Sequence, residues 1–305
     1  MIPPQVLVTG AGGFVGAALL RELAAWRGAG VLATGRRPPD RGWPAGGSAA
    51  LDVTDAEAVE RTFQDFAPSD VVHLAAESRV EACEADRAAC WALNVDAVET
   101  LAAACHRHGA RLVLLSSDMV FSGTAGPYAE AARPTPVNAY GRTKLAAENA
   151  LRTSRLRHWA IARTTMVYGR PAPGRRGNIV SWLVGELRAG RPVRVVADQR
   201  RTPTLDADLA AGLGALIRYR KSGVYHLAGQ EWLTPFDLAL RVAEAFDLDA
   251  SLISAATTVE LHPDAPRPLL GGLVTLRAAS ELGFRATPLD AALPALARRW
   301  SDVPG

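Results

Sequence analysis

The stretch Thr9-Gly10-Ala11-Gly12-Gly13-Phe14-Val15-Gly16 follows the apolar run Val6-Leu-Val and opens a helical pattern that continues through Trp26. A strand, a glycine-rich turn and a helix in that order form the phosphate-binding entry of a dinucleotide fold. Gly10 permits the tight turn, Gly13 lets backbone approach a pyrophosphate, and Gly16 allows close helix–strand packing. Phe14 and Val15 begin the helix whose free N–H groups and positive dipole end face the phosphates. The spacing is GxxGxxG and no Walker lysine follows, which excludes a P-loop.

Outward from this loop, apolar strands alternate with helical patterns. The second strand, Val31-Leu-Ala-Thr, ends in Gly35-Arg36-Arg37. An acid there would accept from the ribose 2′-hydroxyl of NAD. Two guanidinium groups instead suit a 2′-phosphate, so NADP is the expected cofactor. Ala49-Ala-Leu-Asp reads as a third strand, with Asp52 and Val53 at its end as candidate adenine contacts. A helix starts near the Asp55 cap, and Asp70-Val-Val-His-Leu-Ala is a fourth strand. An Ala-rich helix from Asn94 to His108, strand Arg111-Leu-Val-Leu-Leu-Ser, a helix over 138–151 and strand Trp159-Ala-Ile-Ala-Arg complete the pattern. Strands this apolar, separated by helices, predict a doubly wound α/β fold with a parallel Rossmann-type sheet. Residues 1–169 are assigned to the NADP-binding domain, with 202–227 returning to it. Residues 170–201 and 228–305 are assigned to a smaller substrate-binding lobe.

With 305 residues the chain has ample length for a buried core, and 49% hydrophobic and 21% charged residues exclude disorder. Its 34 basic and 31 acidic residues leave a net charge of +3 without long basic runs, so nucleic acid is not an expected partner. Met1-Ile-Pro-Pro carries no basic leader pattern, and no membrane span is expected. Cys83 and Cys90, seven residues apart on one expected helix, would lie roughly 10 Å apart along its axis, too far for a disulfide. A reducing, cytoplasmic setting follows from that expectation.

Tyr140-Gly-Arg-Thr-Lys144 places a phenol and an ammonium at i and i+4 on one helix face. A nearby ammonium is expected to lower the phenol pKa, and Lys144 can also reach a nicotinamide ribose. Ser117 ends the fifth strand and can hydrogen-bond a substrate carbonyl that Tyr140 protonates as hydride arrives. Cys105-His106-Arg107-His108 ends a helix before Gly109, and no second ligand pair accompanies it, so no metal site is expected.

These features resemble an extended short-chain dehydrogenase/reductase, most closely the dTDP-4-dehydrorhamnose reductase family. The resemblance runs through VTGAGGFVG, LDVTD, VVHLAAESRVEACEAD, LLSSDMVFSGTAGPYAE, PVNAYGRTKLAAEN, IARTTMVYG, ADQRRTPTLDADLA and RPLLGGL. It implies NADPH-dependent reduction of a keto group on a nucleotide-linked deoxysugar, with Ser117, Tyr140 and Lys144 as the triad. It also implies that Leu74, Ala75 and Ala76 contact the cofactor. Asp118, Met119 and Met166 fall near the sugar. Met119 and Met166 replace the family's usual aromatics, which points to a differently shaped substrate or to equal-volume packing. Met119 also removes one member of the Asp-Glu pair that related dehydratases use. Eight arginines lie between Arg170 and Arg201. Arg201 and Arg267 are candidates for a substrate diphosphate. A nucleotide-sugar epimerase, a non-catalytic NADP-binding subunit like the relative that regulates methionine adenosyltransferase, and a homodimeric assembly stay open.

Overall fold

The computed structural model describes residues 3–37, 47–172 and 177–301. Met1, Ile2, Arg175 and Arg176, used in the readings above, lie outside these. In chain order the first part comprises β1 (Gln5–Thr9), α1 (Phe14–Ala24), β2 (Gly30–Gly35), β3 (Gly47–Ala50), α2 (Ala56–Phe66) and β4 (Asp70–His73). Two short helices follow, α3 (Val80–Ala85) and α4 (Arg87–Trp91), then a π-turn at Ala92–Asp96 and α5 (Ala97–His108). Next come β5 (Arg111–Ser117), a 3₁₀ turn at Asp118–Val120, α6 (Ala139–Thr153) and β6 (Trp159–Thr164). The second part holds β7 (Val167–Tyr168), α7 (Ile179–Arg188), β8 (Val193–Val196), β9 (Thr204–Leu205), α8 (Asp206–Arg218) and β10 (Gly223–His226). It ends with α9 (Pro235–Ala245), β11 (Ile253–Ala256), α10 (Thr258–Leu261), α11 (Leu276–Leu282) and α12 (Leu289–Ser301).

The central sheet is parallel throughout, in the order β10-β6-β5-β4-β1-β2-β3. Such strands are buried on both faces, as their near-continuous Val, Leu and Ala content requires. One apolar layer joins Leu19, Leu20 and Leu23 of α1 to Leu209, Leu213 and Leu216 of α8. The opposite layer joins Val59 and Phe63 of α2 to Val98 and Leu101 of α5 and Leu151 of α6. The order reverses between β1 and β4, the place where open α/β sheets bind ligands.

Beyond the sheet, α7, β8, α9, β11 and α12 gather around Leu183, Val184, Val193, Leu238, Val242 and Leu293 as a separate core. Residues 202–227 supply α8, which packs on α1, and β10, which extends the main sheet beside β6. Ala278 and Leu282 of α11 also pack into the sheet's layer, so part of the later chain belongs to that side.

The cysteine expectation is overturned. Asp86 (φ −133°, ψ 86°) breaks the helix, and its side chain accepts from the Ala89 N–H to start α4. The chain folds back, the Cα atoms of Cys83 and Cys90 come within 5.2 Å, and the two form a disulfide. The stated ground for a reducing compartment falls with it. Among the described residues no helix is long and apolar enough to cross a membrane.

Candidate active site

The glycine loop and the end of β4 meet at the sheet's switch point. Gly10 has φ +67°, and a Cβ there would fall 2.6 Å from the Ala75 backbone nitrogen and 2.8 Å from the Leu74 carbonyl carbon. At Gly16 a Cβ would strike the Gly10 carbonyl oxygen at 2.5 Å. Only glycine fits either position. Gly13 precedes α1 without a side-chain cap, and the first turn contains no acid. Its N–H groups therefore suit a pyrophosphate. Phe14, Val15, Leu74, Ala75 and Ala76 are half-buried around this crevice.

Arg36 and Arg37 are exposed just beyond β2. Asp52 lies two residues past β3, with Oδ1 accepting from the Thr54 N–H and Oγ1 at 3.0 and 2.7 Å. Those bonds first, and the Arg36 charge after them, lower its carboxyl pKa. The Val53 side chain is buried in the apolar layer with Phe63.

Ser117 ends β5 and Tyr140 lies in the first turn of α6, which brings the two hydroxyls near each other. Their approach depends on Gly141, where a Cβ would come within 2.2 Å of the Met119 carbonyl oxygen. Asn138 caps α6 by accepting from the Gly141 N–H at 2.8 Å, and Glu84 accepts from the Ala139 N–H at 2.7 Å. The half-buried Tyr140 ring rests against Cys83, Cys90 and Ala139. Asn94, in the π-turn, accepts from the Glu77 N–H at 2.9 Å and donates to Thr143 Oγ1 at 3.0 Å. Such turns recur at functional sites.

Lys144 lies one helical turn beyond Tyr140 and is 3% exposed. The expected lowering of the phenol pKa does not occur in this state. Burial, with the Asp118 and Glu77 charges, pushes Tyr140 up to about 12 against the Ser117 hydrogen bond. Burial also brings Lys144 down to about 8, opposed by the Glu148 carboxylate. The phenol is thus protonated at neutral pH, as a proton donor must be.

Behind these groups lies a buried polar chain that sequence reading missed. Glu148 is fully buried and accepts from Ser116 Oγ at 2.6 Å and from Arg163 Nε and Nη2 at 2.8 and 2.6 Å. Arg163 lies over the Phe121 ring at 5.1 Å and contacts His226 Nε2 at 3.4 Å. Its sequence signal is the i+4 step from Lys144 to Glu148.

His73 and His226 are both buried, and both titrate near pH 3. Burial is the main cause for each, followed by the charge of Lys144 for His73 and of Arg163 for His226. Between about pH 6.5, the unfolded value, and about 3 the unfolded chain binds protons the native state refuses. Stability is therefore fully present above 6.5 and falls as pH drops through that window. Each histidine contributes a slope of up to about 1.4 kcal/mol per unit. Urea midpoints at pH 7.5 and 5.0 should differ accordingly, and equal midpoints would contradict neutral burial.

The other sequence candidates are placed less directly. Met119 is half-buried with Sδ 3.9 Å from Asn138 Nδ2, and Met166 is half-buried at φ +39°. Asp118 is 1% exposed, pairs with Arg201 at 3.4 Å and accepts from the Gly272 N–H at 3.2 Å. Arg201 is 2% exposed and donates further to the carbonyls of Arg200 and Pro268. Both residues join distant chain segments, Asp118 to Gly272 and Arg201 to Pro268. Arg191 pairs with Glu186, Arg194 with Glu260, and Arg200 lies over the Trp232 ring. Arg267 pairs with Glu81 beside α6. At the end of α5, Arg107 and His108 both bond Glu60. Among the described residues no three His, Cys, Asp or Glu side chains are grouped to hold a metal. A surface cavity of about 740 Å³ beside Arg241 and Leu293 lies apart from all of these residues.

Comparison with known proteins agrees with this geometry. A family described as the RmlD substrate binding domain matches residues 4–301. A probable dTDP-4,6-dihydroxy-2-methyloxan-3-one 4-ketoreductase of Streptomyces antibioticus is 36% identical over 86% of this chain and 84% of its own. The methionine adenosyltransferase 2 subunit beta of Rattus norvegicus is 31% identical over 88% of this chain and 77% of its own. The crystal structure of dTDP-4-dehydrorhamnose reductase from Bacillus anthracis, in complex with NADP, superposes with a TM-score of 0.86 at 26% identity. It covers 97% of this chain and 99% of that one. A doubly wound sheet, a glycine crevice and a Ser-Tyr-Lys cluster, matched over nearly the whole chain, make this protein a member of the RmlD substrate-binding-domain family within the extended short-chain dehydrogenase/reductases.

Proposed function

We propose that the protein reduces a keto group on a nucleotide-linked deoxysugar at the expense of NADPH. The observation that carries this reading is the juxtaposition of Ser117 at the end of β5 with Tyr140 on α6, and Lys144 buried one turn behind it. Two hydroxyls held together at a strand end suit one carbonyl oxygen. Ser117 hydrogen-bonds that oxygen, and Tyr140, protonated below about pH 12, delivers the proton. Lys144 is cationic below about pH 8 and stabilises negative charge left on the phenol. NADPH, when bound, supplies the hydride. Gly10, Gly13 and Gly16 with the start of α1 would hold its pyrophosphate, and Arg36 and Arg37 its 2′-phosphate.

The test is NADPH oxidation with a panel of dTDP-linked keto sugars. We expect weaker turnover of dTDP-4-dehydrorhamnose than of a relative differing in substitution or stereochemistry, because Met119 and Met166 offer a more adaptable wall than aromatics. No turnover with any member would count against the reading. NADPH should bind at least about tenfold tighter than NADH. Fluorescence titration checks this, and equal affinities would remove the argument from Arg36 and Arg37. A cytoplasmic setting, where NADPH is kept reduced, and a homodimeric assembly are part of the proposal.

The likeness to the methionine adenosyltransferase subunit favours a second reading, an NADP-binding regulatory subunit. The same panel separates the two, since a regulator binds NADPH without oxidising it.

A further inference from the structure

Cys83 on α3 and Cys90 on α4 are both buried, and the bond between them lies against the start of the catalytic helix. The Tyr140 ring packs on both cysteines, and Glu84, the residue after Cys83, accepts from the Ala139 N–H at 2.7 Å. Cys90 Sγ lies 3.3 Å from Asn94 Nδ2 and 3.7 Å from Thr143 Oγ1. The Thr143 hydroxyl in turn donates to the Tyr140 carbonyl at 2.8 Å. The disulfide is therefore joined to the reactive residue through its ring, its backbone and the first turn of α6.

Both sulfurs are also provided for as thiols. Cys83 Sγ lies 3.7 Å from the Glu77 carbonyl oxygen, and the Thr143 hydroxyl can accept from a Cys90 S–H. Access comes from the surface. The helices α3 and α4 span six and five residues, and residues 85–89 between the cysteines are exposed. Such a hairpin opens locally more readily than the central sheet. The free Cys105 is buried in the layer with Leu101 and Leu112, where burial pushes its thiol up, so it takes no part in exchange. In a cytoplasm, the setting proposed above, disulfides are usually transient and redox-sensing.

We propose that Cys83–Cys90 is a reversible redox site, acted on by a dithiol, whose oxidised form holds Tyr140 in its working position. The dithiol gives up two electrons and two protons. The Cys83–Cys90 bond breaks, two S–H groups form, and the dithiol closes to its own disulfide. The two sulfurs then sit at non-bonded distance, so they move apart against the phenol ring, and Cys83 shifts Glu84 from the Ala139 N–H. The glycine crevice is built from β1, α1 and the end of β4 and keeps its shape. The inference rests on the reductase reading above, in which Tyr140 is the proton donor.

Steady-state NADPH oxidation by the full chain with the keto-sugar panel, with and without dithiothreitol, tests it. Alkylation of parallel samples and peptide mass spectrometry locate the thiols. Reduction should free Cys83 and Cys90 and lower kcat by about tenfold, since an ångström of misplacement can cost about 10²-fold. NADPH affinity should stay unchanged, and glutathione disulfide should restore the rate. Cys83→Ala combined with Cys90→Ala should turn over at one rate in both buffers. If that variant does not fold, loss and recovery of the rate in the wild type decide. Two free thiols with an unchanged kcat overturn the proposal, and so does a bond that dithiothreitol leaves intact in the folded protein. A response that persists in the double variant overturns it as well. In each of those cases the reductase reading stands. If neither redox state reduces any nucleotide sugar, that reading fails and this inference fails with it.

Discussion

Tyr140→Phe is expected to lower kcat by about 10²- to 10⁴-fold, the usual contribution of a positioned proton donor, while NADPH affinity stays within about threefold. The ring is held by Cys83, Cys90 and Ala139, and phenylalanine keeps those contacts. What disappears is one hydroxyl, the one beside Ser117. The loss should therefore appear in the chemical step and leave the cofactor crevice untouched. Lys144→Ala, by contrast, should weaken both turnover and NADPH binding if, as proposed, the ammonium also holds the nicotinamide ribose. Steady-state rates with fluorescence titration separate the two patterns. Substantial activity in the Phe variant would show that another group supplies the proton.

Breaking the buried pair beneath the site should produce the largest stability change. Glu148→Gln leaves the Arg163 guanidinium, fully buried, facing a neutral amide. Removing one member of such a pair costs about 3–5 kcal/mol, because the remaining charge cannot be rehydrated. Scaled to this chain length, the melting temperature should fall by about 5–15 °C. Replacing both partners with apolar residues, Glu148→Leu with Arg163→Met, should recover much of that loss, since the desolvation penalty then vanishes as well. The recovery will be incomplete because Ser116 also loses its acceptor. Thermal melts of the single and double variants check this. A single-variant cost below about 1 kcal/mol would mean that water reaches the pair.

The parts of this fold legible in sequence are those whose causes are local. The glycine spacing, the apolar strand runs and the four-residue step from Tyr140 to Lys144 each depend on neighbours within a turn or a strand. The strand expected at Arg111-Leu-Val-Leu-Leu-Ser forms as β5, one residue longer. Features that depend on distant segments were not legible. Arg201 looks like a solvated cation in an Arg-rich stretch, and only the fold brings Asp118 to it from 83 residues away. The Tyr140–Lys144 step gives proximity but not burial, and burial is what pushes the phenol up and the ammonium down. At the cysteines a local signal was present and went unread. Asp86 is a capping residue in front of Arg87-Ala-Ala, and a cap begins a new helix.

The bond from the Gly272 N–H to Asp118 spans 154 residues and fixes the residue next to the reactive serine. On a ribosome adding about 5–20 residues per second, that interval lasts on the order of ten seconds. The glycine crevice and strands β1 to β5 emerge before it begins, and β6 follows within about its first third. A nascent chain of this length already owns its cofactor cradle, yet the turn after Ser117 has nothing to close against. The pocket is finished by almost the last tenth of the polypeptide.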